Sequence, residues 1–375
     1  MRHFGILFKP RTPMKLKAFL QAFGLVAIIF TLLPFIAADY WWIRVFDFPH
    51  TQLTILTMVA LITYFIRFDL RRREDYVFAI VLGACFTYQI IKIFPYIPHG
   101  NHELMEVSPD SKGTDIKFYI ANVLQDNENP DILNQEIKNR DADVLLFMET
   151  NTRWMNDIKG AVSNYPHRVE VPLENTYGML LYSKLPLRNA EVKYLVDDSI
   201  PSIHAILQLP DGDEIQLYAI HPTPPMPQHN PSSTDRDAEM MLVAKSAKNN
   251  SLPVIVAGDF NDVAWSQSTK LFKDISGLLD PRVGRGFFNT FNAKSYLMRW
   301  PLDHFFASDE FRLVDIQLGK DIESDHFPAY FVMRLEPEKA GEQKQEDPTV
   351  DQKKAANEQI QDAREDQAEK KADGQ

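Results

Sequence analysis

The chain runs to 375 residues, 45% of them hydrophobic, with a formal net charge of −11 at pH 7. That is length enough for more than one domain. The charge excludes an overall basic coat of the kind that binds duplex nucleic acid, while leaving room for a local basic patch.

The apolar residues are unevenly spread. Residues 18–38 form an apolar run without a charge, residues 53–66 a second that extends back to Phe48 across His50, and residues 76–96 a third, interrupted late by Lys92. The first and third match the ~20 residues needed to cross a bilayer, and the second is shorter. All three cluster at one end and lack amphipathic spacing, which predicts three transmembrane helices rather than buried core helices. Tyr40, Trp41 and Trp42 follow the first run, where an aromatic belt would sit. Arg2, Lys9, Arg11, Lys15 and Lys17 precede that run, and Arg67, Arg71, Arg72 and Arg73 lie between the second and third. The loop between the first two carries only Arg44, and no Lys or Arg follows the third until Lys112. The positive-inside bias predicts an inner (plasma) membrane protein with a cytoplasmic N-terminus, and three spans then put everything after about Ile97 on the periplasmic, outer side. Cys85, the single cysteine, lies within the third run, so no disulfide framework is expected.

Composition divides the chain into a membrane domain at residues 1–100, a linker at 101–114, a soluble domain at 115–335 and a charged tail at 336–375. Strands are predicted at 116–121, 144–148, 179–182, 203–207, 215–220, 252–257, 305–307 and 330–333 from short β-branched and apolar runs. Helices are predicted at 130–140, where Ile132, Leu133 and Ile137 have helical spacing, and at 237–248. Many strands and few helices suggest a sandwich with helices outside. The tail, rich in Glu, Lys, Gln, Asp and Ala, reads as disordered or as a solvated single helix. Residues 222–231, rich in proline, read as a stiff surface loop.

Polar residues stand at the ends of these strands. Asn122 ends the first, Glu149 the second and His221 the fifth. Gly258-Asp259-Phe260-Asn261 ends the sixth, and the two-residue spacing points the Asp259 and Asn261 side chains the same way on an extended backbone. Asp303 and His304 precede one late strand, Asp325 and His326 the other. Each alone has a bland reading as a turn former, a surface charge or a packed histidine. Together they supply oxygen ligands that suit magnesium or manganese rather than zinc, and a histidine beside a carboxylate, the inventory of metal-assisted phosphoryl transfer.

The ordered set Asn122, Glu149, His221, Gly258-Asp259-Phe260-Asn261, Leu302-Asp303-His304 and Ser324-Asp325-His326 resembles the endonuclease/exonuclease/phosphatase superfamily over residues 115–335. The segments His221-Pro222-Thr223-Pro224-Pro225 and Arg299-Trp300-Pro301 are similar to its bacterial membrane-tethered branch. The resemblance implies an α/β fold, a four-layered α/β sandwich of two mixed β-sheets flanked by helices, here preceded by the three spans. It implies a divalent metal, Mg2+ or Mn2+, held by Glu149 with Asn122 and Asp325 near it. It implies that Asp303 orients His326, that Asp259 orients or deprotonates the attacking water, and that Asn261 and His221 bond the phosphoryl oxygens; either Asp259 or His326 could be the base. Leu124 stands where some nucleases of the superfamily carry an acidic residue. Arg236 and Arg299 are phosphate-binding candidates by charge, with a salt-bridge role the blander alternative. The expected activity is hydrolysis of phosphodiester bonds of nucleic acid or nucleotides; a sphingomyelinase-like action on phospholipid and a catalytically silent membrane binding protein are the alternatives. The expected partners are the lipid bilayer and a phosphate-ester substrate.

Overall fold

The computed structural model describes residues 14–36, 40–226 and 231–372. Arg2, Lys9 and Arg11 of the expected cytoplasmic segment, and positions 227–230 of the proline-rich loop, lie outside the described residues. The chain divides into two units, and residues Asp39–Phe48 group with Pro95–Gln375 rather than with the apolar helices around them.

The helices of the N-terminal region are α1 (Met14–Leu32), the short α2 (Trp41–Arg44), α3 (His50–Tyr64) and α4 (Arg73–Ile93). The first unit is built from α1, α3 and α4. Their mutual seam buries Ala27, Ile28, Ala60, Leu82 and Cys85, with Phe23, Leu56, Leu61 and Phe78 packed against them. Large apolar side chains such as Phe19, Leu25, Ile62, Val77, Ile80 and Ile91 point outward. A soluble bundle puts such residues inside, whereas lipid accommodates them on the outside. Two polar side chains of the seam pair with each other: Gln89 Nε2 donates to Thr31 Oγ1 at 2.6 Å, and that hydroxyl donates to the Ala27 carbonyl at 2.7 Å. Leu16–Ile36 and Arg73–Tyr96 are each long and apolar enough to cross a membrane. The second predicted span reaches that length only if Trp41–Asp47 and His50–Arg67 count as one bent span. Of the three predicted spans, two are thus helices of sufficient length and apolarity, and the third is one only if the bent pair counts as a unit.

In the second unit the order continues β1 (Asp115–Asn122), α5 (Asp131–Arg140), β2 (Val144–Met148), α6 (Thr152–Asp157), β3 (His167–Val171), β4 (Met179–Ser183), β5 (Leu187–Lys193), β6 (Ser202–Gln208), β7 (Glu214–Ala219), α7 (Thr234–Lys248), β8 (Val254–Asp259), α8 (Gln267–Ser276), β9 (Asp303–Ala307), β10 (Phe311–Leu318), β11 (Ala329–Leu335) and α9 (Val350–Ala372). Two mixed sheets result: six strands in the order β10-β11-β1-β2-β4-β3, and five in the order β5-β6-β7-β8-β9. Each sheet has one parallel pair, β1 with β2 and β7 with β8.

The strand period of two sorts the side chains into layers. Phe118 and Ile120 of β1 and Leu146 of β2 face Leu217, Ile255 and Phe305 of the other sheet in one apolar layer between the sheets. The alternate residues Tyr119, Leu145 and Phe147 turn outward to Leu133 and Ile137 of α5 and Trp154 of α6. On the far side, Tyr218, Val256 and Phe306 pack against α7, α8 and α9. The layering is helix, sheet, sheet, helix.

The sequence patterning missed β3, β5 and β10. β3 and β5 are edge strands with half-exposed or exposed residues, so their sequences lack an apolar run. Of the two readings of the tail, disordered or a solvated single helix, the structure has the helix, though not a wholly solvated one. Its α9 is charged overall, but Ala356, Ile360 and Ala363 fall on one face at spacings of four and three and are buried. Ala356 and Ile360 close the apolar cluster over α7 and α8, and so a tail nearly without large apolar residues is still tied down.

Phe305 joins the two sheets. It stacks on Phe331 with ring centroids 4.3 Å apart and meets Phe118 edge-on at 5.2 Å. Phe305→Ala should destabilise the second unit by about 3–5 kcal/mol, the usual cost of a buried Phe truncation. Urea unfolding of the full-length protein in detergent, followed by tryptophan fluorescence, reads this as a lowered midpoint.

Candidate active site

The same strand parity that fills the inter-sheet layer aims polar residues into one end of it. Asn122 follows Phe118 and Ile120 on the inward face of β1, and Asp259 follows Ile255 and Ala257 on that of β8. Asp303 precedes Phe305 and Ala307 on β9. The register sets Asn122 beside Met148, Asp259 beside Asp303, and Ile120 beside Ala329, so the ends of five strands from both sheets meet at one edge.

Close backbone approaches bring the remaining residues in. Gly258 has φ +144°, and a Cβ there would lie 1.9 Å from the Ile220 carbonyl oxygen; only glycine lets β8 run against the chain just ahead of His221. A Cβ on Gly178 would lie 1.8 Å from the Thr150 oxygen, just past Glu149. Glu149 would face outward by strict alternation after Met148, but its left-handed backbone (φ +57°) breaks the alternation. Asn261 is also left-handed (φ +51°). Non-glycine residues hold such conformations where their surroundings compensate the strain, often at functional sites.

The contacts form one network. Asn122 Nδ2 donates to Glu149 Oε1 at 2.8 Å and to Asp259 Oδ2 at 3.0 Å, while its own oxygen accepts from the Leu124 N–H at 3.0 Å. Asp303 Oδ2 and His326 Nδ1 are 2.7 Å apart, and His326 Nε2 lies 3.6 Å from Asp259 Oδ2. His221 Nε2 lies 3.9 Å from that same oxygen, and the His221 ring sits 5.4 Å from the ring of Tyr177. The Asn261 N–H donates to Asp259 Oδ1 at 2.9 Å, and its side-chain amide spends one donor on the Pro222 carbonyl at 2.9 Å, leaving a second. Asp325 is partly exposed beside this group, its Oδ1 3.5 Å from Ser324 Oγ. The eight residues to which the family resemblance assigns roles therefore gather at one place.

Charge at this place is unbalanced. Burial pushes Glu149 up to about 7, with Asp259 and Asp325 acting the same way against the Asn122 hydrogen bond and the His326 charge. Burial also raises Asp259 above the usual carboxylate range. Burial pulls His326 down, but Asp303 and Asp259 outweigh it and hold the imidazole near 10, so it is a cation at neutral pH. His221 is lowered by burial, and its Nδ1 has no hydrogen-bond partner among the described residues. Asp259, Asp303 and His326 each offer an atom within 4.8 Å of the others, a spacing that could also hold a metal ion. Within that trio Asp303 is already engaged with His326.

Several supporting residues escaped the sequence reading. Ser324 Oγ donates to the Asn122 carbonyl at 2.8 Å and accepts from the His326 N–H at 3.0 Å, which seats His326 beside β1. Thr290 Oγ1 accepts the Asp303 N–H at 3.1 Å. Phe291 covers the His326 ring at 5.0 Å. Ser324 stood in a quoted motif, but Thr290 and Phe291 lie on an irregular stretch with no pattern to announce them. Arg236 takes the blander of its two readings: wholly buried, it bonds Asp237 Oδ1 at 2.8 and 2.9 Å and the Asn261 carbonyl at 2.9 Å, propping the loop. Arg299 is engaged with the Ser295 and Ala293 carbonyls and lies over Phe327. His304, lowered to about 3 by burial and the Arg282 charge, faces away from the site toward the Asp262 carbonyl.

A model described as the Endonuclease/Exonuclease/phosphatase family matches residues 118–326. None of the curated proteins matches. Among solved structures, humanized D. rerio TDP2 is similar at 15% identity, covering 59% of this chain and 99% of that one, with a TM-score of 0.51. An endonuclease/exonuclease/phosphatase family protein from Bacteroides thetaiotaomicron is similar at 18% identity, 60% and 99% coverage and a TM-score of 0.50. D. rerio TDP2 complexed with single strand DNA product follows at 15% identity, 59% and 100% coverage and a TM-score of 0.50. At these identities the likeness is one of fold.

The His326 charge depends on its neighbours, and this sets an expected outcome. Asp303→Asn removes the nearer anion, so the His326 titration should move down from about 10 toward the ordinary histidine range. Histidine-selective NMR of the metal-free protein reads the shift, and an unmoved titration would count against this electrostatic account.

Proposed function

The chain belongs to the endonuclease/exonuclease/phosphatase family and is a phosphoric ester hydrolase, and on that premise we propose that it cleaves phosphodiester bonds, of nucleic acid or nucleotides, by in-line attack of water. The observation that carries this reading is the relay Asp303–His326–Asp259, with Asn122 tying Asp259 to Glu149. Because Asp303 engages Nδ1, His326 has only Nε2 to offer the substrate. Asp259, anchored by the Asn261 N–H, orients the water and takes its proton as the new P–O bond forms and the bond to the leaving oxygen breaks. His326, His221 and the remaining Asn261 donor hydrogen-bond the phosphoryl oxygens as their charge grows.

Enzymes of this family depend on a divalent metal, and the donors here fit one. Glu149 has Asp259 and Asp325 as electrostatic neighbours, and among the described residues no Lys or Arg is ion-paired with it. Carboxylate and amide oxygens suit magnesium or manganese. Glu149 would hold the ion, with Asn122 and Asp325 beside it. When bound, it neutralises charge on the phosphoryl group and the leaving oxygen.

In the same reading residues 1–100 form a membrane domain of three spans, 101–114 a linker, 115–335 the catalytic domain and 336–375 a tail. The N-terminus lies in the cytoplasm and the catalytic domain on the outer side of the inner membrane, as in the membrane-tethered branch of the family. The grouping of Asp39–Phe48 with Pro95–Gln375 supports this parity, because the loop after the first span and the chain after the third then lie on one side. Helices of membrane length also favour a second substrate reading, a phospholipid headgroup ester, since an anchor keeps the site at the bilayer surface.

Full-length protein in detergent, assayed with Mg2+ or Mn2+ against DNA, RNA, a simple phosphodiester and a phospholipid panel, tests the reading. Glu149→Ala and His326→Ala should each lower turnover by ~100-fold or more while leaving the melting temperature in place. Full activity in either variant would refute the site, and cleavage confined to lipid would select the second reading. A periplasm-dependent phosphatase reporter fused after Leu335 should be active, and one active only when directed to the cytoplasm would overturn the orientation.

A further inference from the structure

The hydrolase reading leaves unused a group of cations in the first unit. The ends of α1 and α4 border an open cavity of about 680 Å³ lined by Lys17, Gln21, Arg71, Arg72 and Arg73 and by two acids, Glu74 and Asp75. Its framework is pinned. The buried Asp75 accepts from Lys17, from the Tyr64 hydroxyl at 2.9 Å and from the Asp69 N–H at 2.7 Å, and Arg72 lies 3.4 Å from Asp69. One buried carboxylate thus ties α1, α3, α4 and the loop carrying the arginines into a fixed arrangement. Asp75 and Asp69 occupy Lys17 and Arg72, while Arg71 and Arg73 have no acidic partner among the described residues. The N-terminus of α4, 21 residues long, brings the positive end of its dipole to the same point, where Glu74 and Asp75 of its first turn partly offset it.

We infer that this basic cup binds the phosphate headgroup of an anionic membrane lipid. The position names the source of the phosphate. The cup lies where two membrane-length apolar helices, Leu16–Ile36 and Arg73–Tyr96, begin, and Leu16, Phe19, Leu70, Tyr76 and Val77 are exposed around it. An anion held at that level has acyl chains beside it to cover those side chains, and basic pockets between spans are suited to anionic headgroups. Arginine suits the task because its planar fork can bond two phosphate oxygens at once. The cup rests on the membrane reading given above and is independent of the catalytic one.

Native mass spectrometry of the full chain, released from detergent with phosphatidylglycerol or phosphatidylcholine added, tests it. The expected result is one phosphatidylglycerol retained per protein, little phosphatidylcholine, and retention lowered roughly fivefold for each of Arg71→Gln and Arg73→Gln, as about one surface charge each implies. Arg67→Gln, in the same loop region but outside the cavity lining, should change retention little. Equal retention of the two lipids would overturn the proposal, as would equal loss in Arg67→Gln, which would mean diffuse surface charge. Displacement of the lipid by millimolar inorganic phosphate would assign the cup to a free anion instead. Recovery of the protein outside the membrane fraction would defeat the membrane reading itself, whereas membrane-embedded protein without selective retention would defeat only the cup.

Discussion

Among the hydrogen bonds that cross from one sheet to the other at the end of the sandwich, two join side chains of the site: Asn122 on β1 to Asp259 on β8, and Asp303 on β9 with His326 at the entrance to β11. Both require the sheets to stand at a set separation and register. That separation is set by the dry layer beneath them, where Phe118, Phe305 and Phe331 pack ring to ring. Protein interiors are close-packed and transmit displacement, so the polar end of the layer inherits its geometry from the apolar middle. The candidate site is therefore a continuation of the core in which the inward residues become polar.

The cost of that arrangement is electrostatic. Glu149, Asp259, Asp303 and Asp325 converge on a place with one strong cation of its own, His326. Burial disfavours the charges of Glu149 and Asp259, which their hydrogen bonds and the His326 charge only partly offset, whereas the acids around His326 outweigh its burial. A fold selected for stability alone gains little from collecting carboxylates this way. The same imbalance is what a hydrolase of anionic esters needs, because it invites a divalent cation and leaves donors ready for a phosphoryl group. The left-handed backbones at Glu149 and Asn261 belong to the same trade between local strain and function.

In the first unit a buried acid has a different use. Asp75 gathers Lys17, Tyr64 and the Asp69 backbone, and so fixes the loop that bears the arginines. One buried carboxylate organises a positive surface, while several in the sandwich create a negative centre. The two patterns invite opposite ligands: anions at the first, a metal cation at the second.

The sequence by itself determined the strands with continuous apolar runs, the apolar helices, and the polar residues at the strand ends, because those depend on periodicities of two and on local composition. It was legible that Asp259 and Asn261 stand at one strand end and that Asp303 and His326 lie at the start of late strands, but the extended backbone expected through Asn261 is absent: β8 stops at Asp259 and Asn261 is left-handed (φ +51°). It was not legible that edge strands such as β5, with exposed residues along their length, would complete a sheet, since edge pairing leaves little apolar trace. Nor was it legible that the charged tail would dock through Ala356 and Ile360, because two small contacts are lost among many charges. Only the tertiary structure decided that Asn122 bridges two carboxylates from different sheets, that Arg236 supports a loop, and that Ser324, Thr290 and Phe291 hold the catalytic candidates in place. Those facts rest on contacts between residues far apart in the chain, and no local pattern encodes the distance at which two sheets come to rest.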